Sequence, residues 1–488
     1  MPGLFVSEPA YFAEAADVMR LFASSEPVEA LPGPEPGKTG TAALVQLGKE
    51  AAVAAVYEDG ELQAECRDET AFLPLRRSAE RSSIRQRKHQ MKRALYNALA
   101  EAGRRQLPWG SLTGIRPVKL FRELTSVHGP DAARQEFSCA YEVSTSRVRL
   151  AEVIYAEQQK LLADAPAGLC VYAGIPFCPT RCRYCSFIAQ DVAGARSVRE
   201  QYLQALLDEI RAFAGGPEAA CIYIGGGTPT TLSGGELTQL IRVLRETFPH
   251  AAEFTLEAGR PDTITPEVFA IAASEGVSRL SINPQTASDR TLARIGRAHS
   301  AADYRRAMQL ERPASLLINS DMIIGLPGEN VQDVEATLDM ILEGKPDNIT
   351  VHALAVKKAA DLALSSDWTM MPPAEAEEAA RLVAERLEQA GYRPYYLYRQ
   401  KYMSGNLENV GYARPGTGCL YNVLHMEELA SVLALGAGGI SKRVFTDSQR
   451  IERSANVKDA RQYVERLDEM IERKKQLFGA GKTAEQIM

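Results

Sequence analysis

From about residue 168 onward, apolar and polar positions settle into a regular exchange of two patterns. Short apolar runs predict strands: LCVYAGIPF (169–177), ACIYIGGG (220–227), EFTLEAG (253–259), RLSINPQ (279–285), LLINSDMIIGLP (316–327) and NITVHALAV (348–356). Between them REQYLQALLDEIRAFA, GELTQLIRVLRETF, TPEVFAIAASEG, SAADYRRAMQLE and NVQDVEATLDMILEG place apolar residues at helical spacing. Six such units predict a parallel sheet with right-handed crossovers. A Rossmann sheet and a partial or full TIM-type barrel share this alternation. Polar and glycine-rich positions fall at the C-terminal ends of many strands, and a barrel brings all those ends to one mouth. The expected fold class is therefore α/β, with a partial (β/α)6 TIM-type barrel as the core.

The flanks read differently. Residues 1–165 mix a Pro/Gly-rich turn region (LPGPEPGKTG, 31–40), a β-like stretch (AALVQLGKEAAVAAVYEDGEL) and a basic helical stretch, predicting an α+β accessory domain. The barrel core is placed at 166–395. Residues 396–488 form the C-terminal domain, expected to be mostly helical because of the charged run VKDARQYVERLDEMIERKKQLF. GKT within 31–40 is not a P-loop. That motif needs glycine five positions before the GK glycine, where Pro32 stands, and no strand precedes it.

At 488 residues the chain is long enough for two or three domains with cores of their own. A net charge of -6 exerts no general attraction for nucleic acid or anionic membrane. The run RRSAERSSIRQRKHQMKR (76–93) holds eight Arg/Lys against one Glu, without interleaved aromatic residues. It reads as a solvated helix face answering acidic neighbours, rather than as a phosphate-binding platform. MPGLFVSEPA has no basic region followed by an apolar core, and no apolar run approaches the roughly 18 to 20 residues that span a bilayer. A cytoplasmic protein is expected, with no membrane insertion and no nucleic acid as partner.

Eight cysteines are too sparse for a disulfide framework. Cys66, Cys139, Cys170, Cys221 and Cys419 stand alone, and Cys170 and Cys221 read as small buried hydrophobes. Cys178, Cys182 and Cys185, in GIPFCPTRCRYCSF, form a cluster with C-x3-C-x2-C spacing. A structural zinc site wants four ligands. Three thiolates on one loop suit a cubane iron–sulfur cluster whose fourth iron stays open. The loop follows the first strand and so belongs at the mouth. Gly225, Gly226 and Gly227 end the second strand, where a tight turn or the close approach of a ligand to the backbone would each call for glycine.

The ordered set Y-x5-C-x3-C-x2-C, GGGTPT, Glu257, R-L-S-x3-Q, the arginine of IGRAH, and D-M-I-I-G-L-P resembles the oxygen-independent coproporphyrinogen III oxidase family of radical S-adenosylmethionine (SAM) enzymes. LPWGSLTGIRP and GNLENVGYARPG are similar to its HemZ-type branch. The resemblance implies that Cys178, Cys182 and Cys185 hold a [4Fe–4S] cluster, with SAM on the open iron. It implies SAM contacts at Tyr172, Gly226, Gly227, Thr228 and Glu257. Gln285, Arg297, Asp321 and Ala355 match a second SAM pocket, and Ile440 matches a late SAM contact, so one or two SAM molecules are expected. The implied partners are a tetrapyrrole substrate and a reducing electron-donor protein such as a flavodoxin or ferredoxin. The implied reaction is oxidative decarboxylation of coproporphyrinogen III propionates to vinyl groups, yielding protoporphyrinogen IX. The alternatives are a haem-carrying role on the same scaffold or a radical SAM enzyme acting on another tetrapyrrole. By position, Lys357, Lys358, Lys442 and Arg443 are candidate partners for propionates. Two positions depart from the family pattern: Gly174 stands where many relatives carry His, and Phe187 where the decarboxylases carry a fourth cysteine.

Overall fold

A computed structural model describes residues 1–22, 27–37, 39–76, 79–185, 190–191, 196–355, 369, 371–400, 407–445 and 450–479. The chain divides into two compact units, residues 1–155 with 398–407 and residues 156–397 with 408–488.

The first unit is built on a five-stranded sheet of β1 (Gly3–Val6), β2 (Glu29–Ala30), β3 (Thr41–Leu47), β4 (Ala52–Glu58) and β5 (Glu61–Asp68), in the order β2-β1-β3-β4-β5. The β4–β5 hairpin turns on Asp59 and Gly60, both at positive φ, as a two-residue turn matching the strand twist requires. Helices Phe12–Phe22 and Ala79–Ala102 bury Val18, Met19, Leu95 and Leu99 in one core with Leu4, Val45 and Val56 of the sheet. The basic stretch lies on the second of these helices and is answered within the unit. Arg87 pairs with Glu8 and Lys88 with Glu14, while Arg93 reaches Asp68 at 2.9 Å and Glu142 at 2.7 Å. Arg85 donates to Leu73 O and to the Tyr141 hydroxyl. In LPWGSL, a Cβ on Gly110 would lie 2.2 Å from Tyr141 O, so the motif is fixed by close backbone packing.

The second unit carries six parallel strands that neighbour one another in chain order: β6 (Leu169–Ile175), β9 (Ala219–Gly226), β10 (Glu253–Leu256), β11 (Arg279–Ser281), β12 (Leu317–Ile324) and β13 (Asn348–Ala353). A small parallel pair, β7 (Phe177–Cys178) with β8 (Gln190–Asp191), follows β6. The expected partial barrel is present, and each expected strand run contains one of its strands. Ser233–Glu236, Ser300–Asp303 and Asn330–Asp333 are reciprocal capping boxes that start the helices after β9, before β12 and after β12.

Residues 393–455, expected largely within a mostly helical extension, also supply strands. β14 (Arg393–Tyr398) and β15 (Asn409–Ala413) continue the sheet beyond β13, while β16 (Val432–Leu435), β17 (Ile440–Phe445) and β18 (Arg450–Ala455) continue it beyond β6. VLAL is buried throughout and pairs parallel to β6, which requires an all-apolar strand rather than an alternating one. The charged run breaks at Arg466 into helices Ala460–Glu465 and Leu467–Phe478.

Polar contacts close the N-terminal ends of the barrel strands. Arg279, the first residue of β11, pairs with Glu253, the first of β10, at 3.2 Å and donates to Asn348, the first of β13, at 2.8 Å. Glu253 accepts from the amides of Leu420 and Tyr421 at 3.0 and 3.1 Å and from the Cys419 thiol at 3.2 Å, fixing the start of helix Leu420–Met426 against the barrel.

Candidate functional site

The cysteine loop is held from two sides. Gly227 N–H donates to Ile175 O at 2.7 Å and Thr228 N–H to Phe177 O at 2.8 Å, so the glycine-rich end of β9 is bonded to the chain leaving β6. A Cβ on Gly227 would lie 2.5 Å from Phe177 O. Gly226, at φ 104°, leaves its would-be Cβ 3.1 Å from the Tyr172 hydroxyl. These glycines therefore serve the close approach of two backbones. On the other side, Arg183 N–H donates to Ile295 O at 2.9 Å, the Thr180 hydroxyl donates to Gly296 O at 2.9 Å, and Arg260 donates to Thr180 Oγ1 at 2.9 Å. Tyr184, between two of the cysteines, packs on Leu292, Ile295, Ile323, Leu326 and Leu354. Arg260 and Tyr184 drew no attention in the sequence, because neither belongs to a spaced motif.

Cys178, Cys182 and Cys185 are all partly accessible and unbridged. Cys185 N–H donates to Cys182 O at 3.1 Å. Burial pushes the Cys178 thiol up, opposed by the Thr228 hydroxyl, which donates to its sulfur at 3.5 Å, and by the charges of Arg260 and Arg297. The Arg297 guanidinium is buried beside Cys182 and Tyr184, and its Nη1 donates to Asn283 O at 2.6 Å. Hydrogen-bond donors and buried cations around sulfur are what a thiolate-ligated cluster requires, so these residues fit a [4Fe–4S] group. Among the described residues, no three His, Cys, Asp or Glu side chains gather closely enough to share one metal ion. A cubane sets its thiolates on separate irons and does not demand that convergence.

The other expected residues follow the strand ends. Tyr172 stacks on Tyr223 at 6.3 Å, and Tyr223 stacks on Tyr421 at 4.5 Å. Glu257, one residue past β10, has its Oε2 2.7 Å from where a Gly225 Cβ would stand. Burial among the barrel side chains lifts its carboxyl to about 7, with the negative charge of Asp321 adding to the shift and Tyr223 and Arg297 opposing it. Asp321 accepts from Asn319 at 2.8 Å and lies 3.4 Å from His352, a neighbour that no motif had marked. Gln285 is a non-glycine residue at φ 67°, held by its amide on Asp321 O and its carbonyl on Ile323 N, each at 3.0 Å. Among the described residues its buried Oε1 meets no hydrogen-bond partner, nor do Asn283 Oδ1 and Asn319 Oδ1. His299 bonds Pro284 O, and burial followed by the charge of Arg297 lowers it to about 4, keeping it neutral.

Ala355 is half-buried just past β13, while Ile440 is 55% exposed at the start of β17, beside the C-terminal end of β16. Of the candidate propionate partners, Lys442 and Arg443 are engaged within the fold. Lys442 is buried against Glu428 at 3.7 Å, and Arg443 donates to Leu477 O at 3.0 Å while lying over Phe445. Lys357, Lys358 and Phe187 fall outside the described residues. Gly174 keeps its carbonyl bonded by the Tyr202 hydroxyl at 2.6 Å. Among the described residues, no helix is long and apolar enough to cross a membrane.

A cysteine loop bonded to the glycine end of the next parallel strand defines a class, and the Radical SAM superfamily model matches residues 172–341. The chain is 36% identical to the oxygen-independent coproporphyrinogen-III oxidase-like protein HemZ of Bacillus subtilis, over 76% of this chain and 77% of that protein. It is 30% identical to the heme chaperone HemW of Escherichia coli, over 61% and 76%. The solved coproporphyrinogen III oxidase HemN of Escherichia coli aligns over 64% of this chain and 72% of its own, at 24% identity and a TM-score of 0.49. The chain belongs to the oxygen-independent coproporphyrinogen III oxidase family of radical SAM proteins, in its HemZ-type branch.

Proposed function

We propose that this chain is a radical SAM oxidoreductase that decarboxylates two propionates of coproporphyrinogen III to vinyl groups. The observation that carries the radical chemistry is the cysteine loop, pinned between the β9 glycines and residues 295–296, with the Thr228 hydroxyl donating to the Cys178 sulfur and Arg297 buried beside the loop. The substrate assignment is supported by the likeness to HemZ over most of both chains. When bound, the cluster and SAM would supply a carbon-centred radical able to take a hydrogen atom from a propionate β-carbon; vinyl formation with loss of carbon dioxide then requires a one-electron acceptor distinct from the reductant. Cys178, Cys182 and Cys185 would hold the cluster. Tyr172, Gly226, Gly227, Thr228 and Glu257 would surround SAM, with Gln285, Arg297, Asp321, Ala355 and Ile440 around a second molecule. The unpartnered Gln285 and Asn283 oxygens are acceptors suited to amino groups of such a ligand. A low-potential electron-donor protein would serve as reductant.

The heme chaperone relatives favour a second reading, haem carriage without turnover. Against it, the segment TGCLYNVLHMEE stands where the haem-carrier branch has an H-N-x-x-Y-W-like element and does not match it, and its Cys419 and Tyr421 are buried, Tyr421 between Tyr223 and His425. The deciding experiment incubates anaerobically reconstituted protein with coproporphyrinogen III, SAM and a reductant and analyses the tetrapyrrole product. Vinyl-bearing product is expected. SAM cleavage with no vinyl product would overturn the substrate assignment, and stoichiometric haem uptake without SAM cleavage would support the carrier.

A further inference from the structure

The positive charge of Arg297 is buried. The residue is 9% exposed, and its charge reaches the Glu257 carboxyl, although among the described residues no carboxylate stands in ion-pair contact with it. A guanidinium stays protonated at any physiological pH and is seldom buried unless an anion answers it. One donor is taken by Asn283 O, and the neighbours that complete its surroundings are the Cys182 sulfur and the Tyr184 hydroxyl. The position is built, not incidental. Arg297 N–H bonds Leu292 O, and Ile295 O and Gly296 O receive donors from Arg183 and Thr180 of the cysteine loop itself. A Cβ on Gly296 would lie 2.7 Å from Arg181 O, so this turn and the loop are in direct backbone contact. A hydroxyl donor meets the first cysteine of the loop: the Thr228 side chain, only 2% exposed, directs its hydroxyl to the Cys178 sulfur at 3.5 Å.

We infer that Thr228 and Arg297 are tuning residues that hold the cluster at a higher reduction potential, Thr228 by donating a hydrogen bond to the Cys178 thiolate and Arg297 by its buried positive charge beside the cysteine loop. This rests on the cluster assigned above to the three cysteines. A one-electron reductant adds a negative charge to the cluster. Donors and cations at the sulfurs stabilise the reduced form over the oxidised one and so raise the midpoint potential. The resemblance gives both residues to SAM. A guanidinium has five donors and Asn283 O takes one, so the charge can act on the cluster while other donors remain for a ligand.

The test is an anaerobic redox titration of the reconstituted full chain with no SAM present, followed by electron paramagnetic resonance of the reduced cluster. Thr228→Val, Arg297→Lys and Arg297→Gln are compared with the unsubstituted protein. Thr228→Val is expected to shift the midpoint to more negative potential and Arg297→Gln to shift it further. Arg297→Lys, which keeps the charge but loses the planar fork, should fall between Arg297→Gln and the unsubstituted protein. Midpoints all equal to the unsubstituted protein would overturn the inference. If Arg297→Gln retains no cluster, Thr228→Val decides alone, because it preserves shape and removes only the hydroxyl. An unsubstituted protein that binds no iron and sulfide would overturn the cluster reading itself, and the inference with it.

Discussion

Gly227 and Phe177 touch through their backbones: a single Cβ on Gly227 would stand 2.5 Å from the Phe177 carbonyl oxygen. No real Cβ tolerates that separation, and Phe177 immediately precedes the first cluster cysteine. Gly227→Ala is therefore expected to push the cysteine loop off the strand end while leaving the barrel core intact. Iron bound after reconstitution should fall several-fold, with far-UV circular dichroism unchanged. Gly235→Ala is the control, since nothing lies within 4 Å of its would-be Cβ and it sits in the first turn of a helix. It should bind iron normally and gain about 0.5–1 kcal/mol of stability. Normal iron binding by Gly227→Ala would contradict this account.

The cysteines divide by environment. Cys170 and Cys221 are register partners on β6 and β9 and fully buried, whereas Cys178, Cys182 and Cys185 are partly accessible beyond the strand end. Cys182→Ala should abolish the brown cluster colour and SAM cleavage together. Cys221→Ala should retain both and cost about 1 kcal/mol in a denaturant titration. A colourless Cys221→Ala protein that remains folded would reassign the ligand set.

Much of this site was readable along the chain because its parts are local. C-x3-C-x2-C, GGGTP and the six apolar runs each lie within a few residues, and strand ends in a barrel share one mouth whatever the details. Residues that support the site escaped notice for the opposite reason. Arg260 and Thr180 are 80 positions apart, and His352 meets Asp321 across neighbouring strands, so no local spacing records either pair. Lys442 illustrates the converse. Its position in the chain makes it a candidate partner for a propionate, and only the fold reveals the buried Glu428 that it answers. The strands at 432–435 and 440–445 were missed because VLAL is a short apolar run that periodicity alone cannot tell from buried helix.

Lys474 and Glu209 form an ion pair with both side chains wholly buried. Glu209 also accepts from Gly436 N–H and the Tyr463 hydroxyl, each at 2.7 Å, so one carboxylate ties helix Arg196–Arg211 to the loop after β16 and to the C-terminal helices. Removing one buried charge strands the other without compensation. Lys474→Met is expected to destabilise the fold by about 3–5 kcal/mol, measured by urea unfolding. Arg473→Met, one residue away on a half-exposed side chain paired with Glu469, should cost less than about 1 kcal/mol. Equal costs for the two would show that burial does not set the value of the Lys474 pair.

Glu257 makes folding depend on pH in a direction opposite to that of an ordinary ion-paired carboxylate. Its ordinary value of 4.5 rises to about 7 in the fold, chiefly through burial and next through Asp321. Between those values the folded chain holds a proton that the unfolded chain has released. The unfolded state therefore binds fewer protons, and the contribution of this residue to stability falls as pH rises from about 4.5 to about 7, then levels off. Glu257→Gln keeps the shape, carries no charge and cannot titrate. Its stability relative to the unsubstituted protein should increase across that window and stay constant above it, in urea titrations at half-unit pH steps. A relative stability that is flat with pH, or that declines, would mean that the Glu257 carboxyl is ionised throughout in the folded barrel.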